Sequence, residues 1–230
     1  MMTRKILTWS CAVVAGAAIL VPQRASATLT LGLGNSGISP TYPSPYGTVA
    51  VTLLDSTHAD VTFTPTATAS PGGWHYFIGG AQMADLNVNG AFQVVGDLGG
   101  FTGTSHFASP GPVTGIGPGN ADGFGHFNLT IDNFDGFTSS WTSLSFELQA
   151  TGGNFWTSAD NVLTPNGSGF VAAAHIYVAN PDFTNTNNTG YAANGGVEFG
   201  PVPEPSTLAL GIGAITCMGL ARVVRRIRRA

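Results

Sequence analysis

The chain has 230 residues and a formal net charge of −4, a small figure that conceals a sharp segregation. All eight Lys and Arg lie near the ends and all twelve acids fall between Asp55 and Glu204, so residues 28–205 carry −12 with no cation except what His supplies. Without Lys or Arg to neutralise phosphates or grip a carboxylate bidentately, this central segment excludes nucleic-acid binding and Arg-mediated anion capture.

In chain order, residues 1–27 read as a secretory signal peptide. Arg4 and Lys5 form a positive leading region, Ile6 to Val21 an apolar run, and Ala25-Ser26-Ala27 a small-x-small cleavage pattern that predicts a cut between Ala27 and Thr28. The two cysteines, Cys11 and Cys217, sit inside the apolar terminal runs, so the core between them has no thiol and no disulfide. A core of this length buries enough apolar surface to do without one.

Residues 28–199 read as one all-β domain, an antiparallel β-sandwich, jelly-roll-like. Apolar and polar residues alternate in Thr48–Leu53, Asp60–Phe63, His126–Asp132 and Leu144–Leu148, the period of strands with one buried face. Trp74–Ile78, Leu86–Val95 and Phe170–Val178 are further strand candidates, and no stretch sustains a helical apolar pattern. The Gly/Pro-rich "SPGPVTGIGPGNADG" (109–123) predicts turn and loop, and the Asn/Thr-rich stretch 180–196 a long surface loop or a disordered segment.

Motifs for chemistry are sparse. Gly32–Gly37 spells G-x-G-x-x-G after a strand-like TLTL, but the prolines that follow forbid the helix a dinucleotide site needs. No nucleophile elbow and no H-E-x-x-H are present. His58 and Asp60 alone place two metal-ligand types on one strand face. Calcium is the cofactor the residues suggest, through Asp132 and Asp135 of "DNFDG" and Asp122 of "GNADG", oxygen-rich turns with no competing cation. The competing reading is an Asp/Asn turn formed for backbone reasons. Paired carboxylates for glycoside hydrolysis cannot be placed together from spacing. Trp74, Tyr76, Trp141, Phe155 and Trp156 offer aromatic surface; most belong in a sandwich core, with Trp156, in the loop-like "TGGNFWTSADN", the expected exposed residue for stacking on a sugar.

Residues 200–230 differ from all that precedes. Val202-Pro203-Glu204-Pro205 leads into an uncharged run from Thr207 to Ala221, followed by Arg222, Arg225, Arg226, Arg228 and Arg229. As a helix the run spans about 22–27 Å, short for a bilayer core of about 30 Å. The arginines mark its far side as cytoplasmic, behind a chain already addressed for export. This layout resembles the PEP-CTERM sorting signal. The resemblance implies a transmembrane helix that stalls export, processing near Glu204 by an exosortase-type enzyme after signal peptidase and the translocon have acted, and a Gram-negative host that makes exopolysaccharide. It implies an inner-membrane intermediate, then residence at the cell surface or in the extracellular matrix. The expected role is structural or adhesive, associated with exopolysaccharide and not enzymatic; the alternatives are a calcium-assisted lectin-like module and a glycan hydrolase.

Overall fold

The computed structural model describes residues 24–66, 73–95, 102–104, 113–133, 140–195 and 200–201. The apolar run of the signal peptide, Asp135 and everything from Val202 onward, including the sorting motif, the 207–221 run and the arginine tail, lie outside the described residues. Among the described residues no helix is long and apolar enough to cross a membrane.

The strands are β1 (Ser26–Gly34), β2 (Gly47–Leu53), β3 (His58–Pro65), β4 (His75–Ile78), β5 (Ala84–Leu86), β6 (Phe92–Val95) and β7 (Thr102–Thr104). They continue with β8 (Val113–Ala121), β9 (Gly125–Asn133), β10 (Ser143–Ala150), β11 (Ala172–Ala179), β12 (Asn185–Asn194) and β13 (Gly200–Pro201). Hydrogen bonding runs unbroken through one antiparallel, curled sheet in the order β6-β10-β3-β2-β1-β12-β11-β5-β9-β8, with β4 also on β11, β7 on β10 and β13 on β1.

Alternation sets the inner face. Ala59, Val61 and Phe63 of β3 are fully buried while Asp60 and Thr64 are exposed, and Leu144, Phe146 and Leu148 repeat the pattern on β10. Curling brings these residues into one cluster with Leu29 and Leu31 of β1, Leu129 and Ile131 of β9 and Ile176 and Val178 of β11. The two halves are laced along one seam: Ile78 and Trp141 exchange backbone bonds of 2.7 and 3.0 Å, and Tyr76 donates to the Thr66 carbonyl at 3.1 Å. β11 is covered on both faces. Ala172, Ala174, Ile176 and Val178 point into the main core, and Ala173, Tyr177 and Ala179 meet Phe124, Phe127, Phe77 and the half-buried Phe183 on the other side.

Two segments expected to be irregular are strands. Residues 113–121 of the Gly/Pro-rich stretch form the edge strand β8, where Pro118 is tolerated because an edge has one open side. Gly115 and Gly119 are the space into which side chains of β9 lean: a Cβ at Gly119 would strike the Thr130 side chain, and one at Gly115 would sit 3.1 Å from Asp132 Oδ2. The Asn/Thr-rich stretch supplies β12, held between β1 and β11. Phe183 takes a positive φ just before it and Asn187 within it, and the fully buried Ala192 and Ala193 let neighbouring layers close over it.

Candidate functional site

The open end of the sheet is covered by the loop 151–164. Trp156 anchors it, donating its backbone N–H to the Ser56 carbonyl at 2.8 Å and its indole N–H to the Asn89 carbonyl at 3.0 Å. With 1% of its surface exposed, it is a plug of the core. The sugar-stacking role expected of Trp156 is therefore corrected: its neighbour Phe155 is the exposed aromatic, at 61%. Loop geometry turns successive side chains to opposite sides, and the polar handle of an indole finds a buried carbonyl where a phenyl ring cannot.

Beside Phe155 lies a solvent-open groove of about 680 Å³, walled by Arg24 and Ala25, by residues 53–56 of the β2–β3 turn, and by residues 155–157. Asp55 organises the turn. Its Oδ1 accepts the backbone N–H groups of Thr57 and His58 at 2.7 and 2.9 Å and the Thr57 hydroxyl at 2.8 Å. The backbone bond from Thr57 is the main cause, followed by the Thr57 hydroxyl and the His58 ring 3.0 Å away, that holds the Asp55 carboxyl down at about 2. The groove thus has an acceptor ionised at neutral pH on one side and an exposed ring on the other. Across it, the Ala25 carbonyl accepts the Leu53 N–H at 2.9 Å; next to this pair, outside the groove lining, the Thr52 hydroxyl donates to Ser26 Oγ at 3.3 Å. Arg24 is the one Lys or Arg among the described residues.

The two turns expected to offer calcium ligands lie apart, and Asp135 of the first is outside the described residues. Asp122 lies in the β8–β9 turn, its carboxylate 3.4 Å from Asn35 Nδ2, and Asp132 near the other end of β9, where it accepts the Gln82 N–H at 2.6 Å. Ten residues of chain that is mostly strand separate them, about 30 Å at the rise of a β-strand, so they cannot share an ion. No group of three or more His, Asp or Glu side chains suited to a metal occurs among the described residues. The Asp-Gly turn at 122–123 follows backbone demand, with Gly123 at φ 86°. His58 turns to Asp55 instead of joining Asp60.

Two carboxyl arrangements were not legible beforehand. Asp60 of β3 stands directly opposite Glu147 of β10 on the outer face, in a row with Thr52 and Val95. They are neighbours on one open surface, not acids facing across a cleft. Asp85 of β5 is fully buried; Oδ1 accepts the Thr130 hydroxyl at 2.6 Å and Oδ2 has no hydrogen-bond partner. Asp55 carries a readable signal, the Asp-x-Thr spacing of a side-chain-capped turn. Asp85 carries none, since its burial comes from strands distant in the chain.

Ala27 and Thr28, at the expected signal-peptide cut, lie in β1, whereas the sorting motif lies outside the described residues. Ala27 is paired on one side with Val51 and on the other with Pro201, and Thr28 with Gly200. Compared with family models, curated proteins and solved structures, the chain matches none.

Proposed function

We propose that this chain is an exported protein of the cell envelope or extracellular matrix, trimmed at its N-terminus by signal peptidase and near Glu204 by an exosortase-type enzyme. Its core, a β-sandwich in the sense that two halves of the sheet face each other, serves a structural or adhesive, non-catalytic role beside exopolysaccharide. One observation carries this reading. Thr28, the first residue of the proposed mature chain, pairs with Gly200 at the end of the described residues, and no described residue that the N-terminal cut removes belongs to the main apolar cluster. Trimming there removes the export segment and leaves the apolar cluster intact. Intact mass of the secreted protein is the test: a chain beginning at Thr28 and ending near Pro205 supports the proposal, and a mass that retains the arginine tail sinks the C-terminal half of it.

A lectin-like reading is favoured by the groove beside Phe155. Neither Asp122 nor Asp132 lines that groove, so chelation should leave glycan binding there unchanged, and a loss on adding EDTA would favour the calcium-assisted form of the reading.

A further inference from the structure

We infer that the groove beside Phe155 is a binding site for a neutral saccharide chain, and that residues 24–27 block part of it until the signal peptide is removed. The inference rests on the export cut between Ala27 and Thr28. In the uncut chain Arg24 and Ala25 form one wall of the groove. The Leu53 N–H is used up by the Ala25 carbonyl, and the Thr52 hydroxyl points to Ser26. Removal of Arg24 to Ala27 therefore does three things at once. It turns a walled groove into a shelf continuous with the edge of β2, frees an N–H and a hydroxyl along that edge, and takes away the lone cation.

What remains has the chemistry of a sugar subsite. Phe155 presents a ring on which the C–H face of a pyranose stacks. Asp55, ionised and held rigid by its turn, has Oδ2 engaged only with the His58 ring at 3.0 Å, which leaves a second lone pair as a charge-assisted acceptor for hydroxyl groups. Leu53 supplies a backbone donor on the opposite side. The sign of charge narrows the class: with Asp55 at the site and −12 over residues 28–205, a polymer of uronic acids is repelled, whereas neutral hexoses are not.

The test compares two preparations of the full chain, one exported and one retained in the cytoplasm where the signal peptide is not cut, with the N-terminus of each read by mass. Calorimetric titration uses cellohexaose as the neutral probe and a hexamer of galacturonate as the anionic one. The exported chain should bind cellohexaose at least about tenfold more tightly than the retained chain, a difference of about 1.4 kcal/mol. Phe155→Ala should abolish that binding and Phe155→Trp should keep it, with both variants melting like the parent. Equal binding by cut and uncut chains overturns the blocking role and leaves the site standing. No binding by a chain shown to begin at Thr28 overturns the saccharide site. Tighter binding of the galacturonate hexamer overturns the charge argument, and an exported chain that still begins before Thr28 overturns the export reading itself.

Discussion

Burial raises the Asp85 carboxyl well above 3.8, the nearby Asp132 charge pushes it the same way, and the single bond from Thr130 opposes them without prevailing. The protonated acid is thus the form that folds. An unfolded chain releases that proton above 3.8, so the contribution of Asp85 to stability is complete below that value and is lost as pH rises toward the folded pKa. Asp55 has the opposite sign: its carboxylate is held down to about 2, so its contribution is present above 3.8 and disappears as pH falls from there toward 2. Urea titrations across this range should show Asp85→Asn more stable than the parent at neutral pH, with a flatter fall from mildly acidic to neutral conditions. Asp55→Ala should lower stability at neutral pH and make the fall toward pH 2 shallower, with Asp182 keeping part of that limb. An Asp85→Asn protein that loses stability at neutral pH would mean the parent keeps a charged, compensated carboxylate there. Gly119→Ala belongs to the same neighbourhood: the added methyl strikes Thr130, itself buried and tied to Asp85, and should cost about 1–3 kcal/mol in the same titration.

Among the elements, the loop 151–164 concentrates its stabilising contacts in one side chain. Trp156→Ala empties a large site and strands the Asn89 carbonyl, and should lower unfolding free energy by about 3–5 kcal/mol. Phe155→Ala, one residue away and exposed, should change it by less than about 0.5 kcal/mol. This contrast also marks what was legible in the sequence. β2, β3, β9 and β10 announce themselves because each has one buried and one wet face, and alternation is the direct record of that. β8 and β12 do not. β8 spends alternate positions on glycine so that Thr130 and Asp132 can lean over it, and β12 owes its strand form to two flanking strands instead of its own Asn-rich composition. Trp156 was misread for a similar reason: its loop is polar in sequence, and its partners at Ser56 and Asn89 lie far away in the chain.

For the whole molecule, the segregation of charge becomes a chemical property of the folded domain. No Lys or Arg occurs from residue 25 to 221, so trypsin has no bond to cut across the entire sheet even after heat unfolding. Mass analysis of a digest should return one large core fragment, and internal tryptic fragments would contradict the sequence itself. Among the described residues no carboxylate of that sheet has a Lys or Arg partner: Asp55 and Asp182 are held by turns, Asp85 is buried with its pKa raised, and Asp60 and Glu147 lie on the open outer face. The groove lies on the rim where the first strand begins, which is why processing at the N-terminus and binding at Phe155 are linked in the proposal above.

The partnership of Thr28 with Gly200 has a consequence for engineering. Their Cα atoms are about 5 Å apart, the spacing of paired strands, so the fold is nearly a closed ring of chain. A few glycines joining the two should let the ring be reopened elsewhere, and the exposed Asp122-Gly123 turn is a suitable opening. The same geometry makes the domain a natural insert for a loop of another protein, entering and leaving through a single narrow gap.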